Sequence, residues 1–194
     1  MQVQENHQHF ILHKPYGYLS QLINNQNKRK NKRLLGELFD FPERTMAIGR
    51  LDENSEGLLL LTTNGKVSEE IRSAKFEKEY YAQVDGLITT QALKQLQEGV
   101  EIGIHGTKYK TKPCIVKNIS NVSDFPFANR KVRDARHGPM SWVSITLTEG
   151  KFRQVRKMTA AVGFPTLRLV RVRIGSILLK IESGKVEEVA DFNN

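Results

Sequence analysis

AIGRLDENSEGLLLLTTNG, residues 47–65, is a polar loop pinned between two apolar runs. Met46-Ala47-Ile48 leads into it and Leu58-Leu59-Leu60-Leu61 leads out, both of strand length. The loop holds Gly49, Arg50, Gly57 and three acids, Asp52, Glu53 and Glu56. A loop anchored at both ends by buried strands is rigid, and rigid scaffolds are where working side chains are positioned. Spacing alone does not choose among the acids. Asp52, beside Arg50, either works as an ionised carboxylate or shapes the turn and pairs with that arginine.

Outward from this stretch, the chain reads as strands with helices interspersed irregularly. Phe10-Ile11-Leu12 is a short strand entering the turn His13-Lys14-Pro15-Tyr16-Gly17-Tyr18. Residues 34–39 form a short helix stopped before Pro42. Residues 66–74 carry Val67, Ile71 and Ala74 at helical spacing, and residues 79–85 alternate, with Tyr80, Ala82 and Val84 on one face. Residues 91–98 are a helix with Thr89-Thr90 as cap candidates and Gly99 as its stop. Residues 108–119 read as a strand region in which Pro113 marks an edge or bulge.

Residues 121–139 lack periodicity and read as a long loop. Residues 142–148 alternate again, with Val143, Ile145 and Leu147 inward. Residues 152–162 give the strongest helix, its apolar face made by Val155, Met158, Ala161 and Val162, ended by Gly163 and Pro165. In residues 167–174 the inward phase slips between Leu169 and Val170, which predicts a bulge there. Residues 177–181 and 186–189 are further strands around a Ser183-Gly184 turn. The class expected is α+β rather than doubly wound α/β. One domain, of two intimate subdomains, is expected over residues 10–190, with a disordered tail at 1–9 and a short one at 191–194.

The 194 residues suffice to bury a core without disulfides, and the lone Cys114 allows none within the chain, which points to a reducing, cytoplasmic setting. The first residues lack an apolar signal core, and the longest aliphatic run is far too short to span a membrane, so no membrane role is expected. Net charge is +9, unevenly placed. Residues 150–181 contain no acid but carry Lys151, Arg153, Arg156, Lys157, Arg168, Arg171, Arg173 and Lys180, and residues 28–33 form a second basic block. Clustered cations of this kind favour a polyanion, most often nucleic acid.

Several chemistries are excluded. The chain has neither GxxxxGK[ST] nor GxGxxG, its histidines are scattered without metal-ligand spacing, and no serine stands in a GxSxG setting. Cys114 reads as packing rather than nucleophile. What remains is a carboxylate in a basic environment, able to attack an electrophilic carbon or to stabilise a cationic glycosyl centre.

Three blocks in this order carry a resemblance. HKPYGYLSQ is similar to the opening KPxGxxSQ, GRLDENSEGLLLLTTNG to GRLDxx[ST]xGLLLLT, and EGKFRQVRKMTAAVGFPTLRLVRVRIG to EGxxRQVRRMxxAVGxPVxxLxRxxIG. With the KxY segment between them, they resemble the RNA pseudouridine synthases of the RsuA type over most of the chain. The resemblance implies a pseudouridine synthase fold, a mainly antiparallel mixed sheet with flanking helices and a central catalytic cleft. It implies isomerisation of an rRNA uridine by an aspartate with base flipping, no cofactor, and ribosomal RNA as the partner of a monomeric enzyme. Ser55-Glu56-Gly57, in place of the commoner Thr-Ser-Gly, resembles the branch acting on large-subunit rRNA. Many members carry a small S4-type RNA-binding domain ahead of the catalytic part. With motifs beginning by residue 14 it is expected to be absent, leaving RNA selection to residues 28–33 and 121–139.

By the same resemblance Asp52 is the nucleophile or glycosyl-stabilising base, Tyr80 packs against the target base, and Arg156 pairs with the aspartate. Arg50 helps to displace the base from its stack, and Leu167 lines the uracil pocket. Lys14, Arg153, Gln154 and Lys157 are expected to contact substrate. Two rival readings stand beside this one. A non-catalytic RNA-binding or ribosome-assembly protein accounts for the charge but has no use for Asp52, Tyr80 and Arg156 together. A nucleoside or sugar hydrolase would use paired carboxylates such as Asp52 and Glu56, without needing so basic a chain.

Overall fold

The structure, a computed structural model, describes residues 6–23, 31–73, 76–123, 130 and 132–192. Among them nine strands form one sheet, in the order β11 (Val186–Val189), β1 (His9–Lys14), β3 (Glu56–Thr62), β9 (Thr166–Ile174), β4 (Lys78–Asp85), β8 (Met140–Leu147) and β7 (Ile115–Ile119). β2 (Met46–Ile48) pairs with β3, and β10 (Ile177–Leu178) with β9. All these pairings are antiparallel except β3 with β9, which is parallel. A separate hairpin joins β5 (Glu101–Ile104) to β6 (Thr107–Lys110). The helices are α1 (Gly65–Ser73), α2 (Thr90–Glu98) and α3 (Gln154–Ala161). The fold is α+β.

β3 is the reason the sheet holds together at its centre. All four leucines are fully buried, but they serve opposite faces. Leu58 and Leu60 join Ile48, Val170, Val172 and Ile174, while Leu59 and Leu61 join Phe10, Leu12 and Leu35. A continuous apolar run is what a strand covered on both faces requires. A third core, on the β4–β8 side, holds Ala82, Val84, Val143, Ile145 and Leu147 beneath Val155 and Met158 of α3. The alternation read in β4 and β8 thus points inward as expected.

The contact of β3 with β9 depends on Gly57. Its φ is +106°, and a Cβ there would lie 2.3 Å from the carbonyl oxygen of Arg171. Only glycine allows the two backbones to approach so closely.

Several expectations need correction. The register between β4 and β9 shifts at Glu79/Tyr80 and at Gln83/Val84, which leaves Val172 and Leu167 as the extra residues; β9 is regular between Leu169 and Val170. The apparent slip arose because the two faces of β9 pack into different cores, Leu169 on one side and Val170 and Val172 on the other. Residues 34–39 give a single 3-10 turn, Leu35–Glu37. Ala161 is exposed, and α3 begins two residues later than expected. The strand region at 108–119 divides into β6 and β7 around Pro113, and β7 is an edge strand. The tail at 1–9 is held at its inner end, where Gln8 N donates to Thr63 Oγ1 at 3.0 Å and His9 lies in β1. Phe192 likewise packs on the core at the other terminus. The readings made for residues 1–5, 24–30, 74, 124–129, 131 and 193–194 lie outside the described residues.

Candidate active site

The loop from β2 to β3 opens onto a cleft of about 390 Å³ lined by Arg50, Asp52, Ser55, Tyr80, Arg153, Gln154, Leu169 and Arg171, among others. A volume of that size suits a nucleotide-sized ligand. β4 and β9 form its floor, and the end of α1 and the turn leading into α3 form its walls.

The loop is braced from behind. Ser20 Oγ donates to Leu51 O at 2.8 Å and accepts from Leu51 N at 2.9 Å. Ser55 N closes back on Asp52 O at 3.0 Å, and Gly17 N donates to Glu53 O at 2.8 Å. The serine of the KPxGxxSQ block therefore positions Asp52, a role the sequence did not disclose. Lys14 braces the same loop rather than reaching substrate. It is wholly buried, and its Nζ donates to Pro15 O at 2.9 Å and weakly to Glu53 O at 3.4 Å. Burial pushes its pKa down to about 8, against the pull of Glu56, Glu53 and Asp52.

The three acids have different fates. Glu56 is buried and clamped by Arg168, Nε at 2.8 Å and Nη2 at 2.9 Å, with Arg130 Nε at 3.6 Å. Glu53 pairs with Lys32 at 2.6 Å. Asp52 is half-open, and Arg153 Nη1 reaches its Oδ2 at 3.3 Å. A paired-carboxylate hydrolase would lose its second acid to Arg168. Of the three, Asp52 faces the cleft with room to react.

Arg153, not Arg156, makes the ion pair with Asp52. It stands just before α3 with φ +52°. A left-handed conformation costs a non-glycine residue about 1–2 kcal/mol and is a mark of functional sites. Arg156 instead donates to Asn54 O at 2.7 Å, Ser55 Oγ at 3.3 Å and Thr166 O at 3.4 Å. Its pKa is lowered first by burial and next by Arg153, with Asp52 opposing. It tethers α3 and β9 to the loop that carries Asp52.

Tyr80 lies half-buried in the cleft, opposite Arg171 on β9. Tyr81 belongs to the other face, where burial and then Glu79 raise its pKa. The tyrosine at the cleft is thus Tyr80. Leu167 does not line the cleft; Leu169 does. Counted from Gly163-Phe164-Pro165, the leucine of the third motif also falls on Leu169, so the register was legible. Arg50 sits exposed at the rim, and Gln154 is buried in the wall, its Oε1 accepting from Lys151 N at 3.0 Å and its Nε2 donating to Glu149. Lys157 is turned away onto the β5–β6 hairpin, donating to Gly103 O at 2.6 Å. Cys114 donates to Leu96 O, and burial pushes its thiol up to about 11, which suits packing rather than attack. No cluster of metal-ligating side chains occurs among the described residues, and no described helix is long and apolar enough to cross a membrane.

Comparisons with known proteins fit this geometry. Residues 8–161 match a family model described as RNA pseudouridylate synthase. The chain is 40% identical over 167 residues to a ribosomal large subunit pseudouridine synthase E of Xanthomonas axonopodis pv. citri, covering 85% of this chain and 84% of that one. It is 37% identical over 188 residues to the protein of the same name from Vibrio parahaemolyticus, covering 95% and 75%. A solved pseudouridylate synthase superposes with a TM-score of 0.74 at 26% identity, covering 97% of this chain and 72% of that one.

Proposed function

The chain belongs to the RNA pseudouridylate synthase family, and from that premise we propose that it converts one uridine of large-subunit ribosomal RNA to pseudouridine, with Asp52 as the acting carboxylate. The observation that carries this reading is the placement of Asp52. It is the acid of its loop left open to a cleft, with Tyr80 on the floor and Arg153 at its side.

The reaction breaks the glycosidic carbon–nitrogen bond, turns the uracil and rejoins it through carbon. Nothing is oxidised, and no group enters or leaves. A base inside a helix is out of reach, so the uridine is flipped out, at a cost of a few kcal/mol. Arg50 at the rim fills the gap left in the stack. Tyr80 and Leu169 give the uracil a dry surface, and Arg153 pairs with Asp52 beside it. Basic side chains around the mouth hold phosphates and offset the cost of flipping, so binding weakens steeply as salt rises. The lone thiol suits a reducing cytoplasm, where we place the protein as a monomer.

The test is a chain-wide map of pseudouridine in rRNA from cells carrying either the wild-type protein or Asp52→Asn. One modified position should vanish in the variant while the purified variant still binds rRNA. Full modification with Asp52→Asn would overturn the proposal.

A further inference from the structure

The β5–β6 hairpin and the turn leading into α3 bring together an aromatic pair that the reaction does not use. Phe152 is 56% exposed. His105 stacks on it, with centroids 5.8 Å apart and planes 24° from parallel. Lys157 Nζ lies 5.1 Å from the Phe152 ring, and Lys151 Nζ lies 4.9 Å from the ring of Tyr109 on the same hairpin.

The hairpin turn fixes the place of His105. Its two central residues, His105 and Gly106, have φ of +48° and +82°. A two-residue turn with both φ positive favours Asn-Gly or Gly-Gly, and histidine there is strained. The turn brings an imidazole over Phe152. Phe152 in turn lies between Lys151 and Arg153, both of which line the cleft. The aromatic surface therefore lies beside the cleft, on the side to which Lys157 turns.

We propose that Phe152 and His105 form a stacking platform for an unpaired nucleobase of the RNA strand that carries the target uridine, a neighbour displaced when the uridine leaves its stack. Charge decides the occupant. Lys157 lies at the Phe152 ring and Lys151 at Tyr109 of the same hairpin, which suits a polyanion with π faces and repels a basic partner such as a second copy of this +9 chain. Stacking on aromatic side chains is the common mode for unpaired bases, because every base has a π face. The platform rests on the RNA-modifying reading for its partner, and its test separates the two.

The full-length protein is titrated with a short fluorescent oligouridylate and with an oligoribonucleotide of the same length lacking its bases. Phe152→Leu keeps an apolar side chain but removes the ring. It should weaken oligouridylate binding about tenfold and leave binding of the abasic strand unchanged, while Phe152→Trp binds oligouridylate at least as tightly as wild type. Equal binding by the leucine variant would overturn the platform, as would an equal loss on both strands, which would mark a merely structural ring. Self-association of the wild type that Phe152→Leu abolishes would also overturn it, by assigning the surface to protein contact. Wild-type protein that shows the stacking contrast but makes no pseudouridine in rRNA would sink the functional reading and leave the platform standing.

Discussion

Glu56 and Asp52 stand four residues apart, each paired with an arginine from the last third of the chain, and the two pairs are built to opposite specifications. Glu56–Arg168 is bidentate, with both side chains 4% exposed, and it links β3 to β9. Asp52–Arg153 is a single contact at 3.3 Å between side chains 29% and 38% exposed. The first leaves the carboxylate no freedom. The second supplies charge but leaves lone pairs facing the cleft. A fully satisfied carboxylate organises a fold, and a partly satisfied one does chemistry.

The contrast can be broken in steps. Asp52→Asn should reduce pseudouridine formation by about 10⁴-fold or more, with thermal unfolding close to wild type, because it removes charge and not packing. A variant that melts early would mean that Asp52 is structural too. Arg168→Met should do the reverse, costing about 3–5 kcal/mol of stability by stranding Glu56 in the interior. Denaturant unfolding reads this directly, and a loss below 1 kcal/mol would show that Glu56 is not locked.

Lys14 sharpens the comparison through pH. Its folded pKa of about 8 lies below the ordinary lysine value of 10.5, so protonation favours the unfolded chain. Its penalty is absent above pH 10.5, grows as pH falls towards 8, and is complete below that. Lys14→Met should remove a stability gradient of about 3 kcal/mol between pH 8 and 10.5, measured as the difference from wild type. Parallel curves for the two proteins would refute the assignment. Arg153→Gly should give the smallest effect on folding. Relief of the left-handed strain should stabilise the protein by about 0.5–1 kcal/mol, since the half-exposed ion pair contributes little, while activity falls. Loss of stability would mean that the ion pair outweighs the strain.

Much of this was legible beforehand because it depends on local pattern. The leucine run, the alternation of β4 and β8, and the stop at Gly163 and Pro165 all follow from side-chain periodicity or backbone restriction over a few residues. What escaped is non-local or conformational. β5 was missed because Glu101-Ile102-Gly103-Ile104 is short, with a glycine that weakens the strand signal. The parallel pairing of β3 with β9 joins residues more than a hundred positions apart. Arg153 and Arg156 share one motif and differ in role because only one has a left-handed backbone, which no spacing reveals. Ser20 escaped because a hydroxyl bracing a distant loop has no periodic signature.

The four leucines of β3 have one more consequence. They carry almost no positional information: shifting the strand by one residue would exchange leucine for leucine in both cores, so hydrophobicity barely opposes a slip. The alignment must therefore be keyed at the end of the run, where Gly57 is the residue that tolerates the carbonyl of Arg171 and Glu56 the one that meets Arg168. Asp52 hangs from that same end. The address of the reactive atom is thus written in two non-leucine residues, and the long apolar stretch behind them supplies adhesion without indexing.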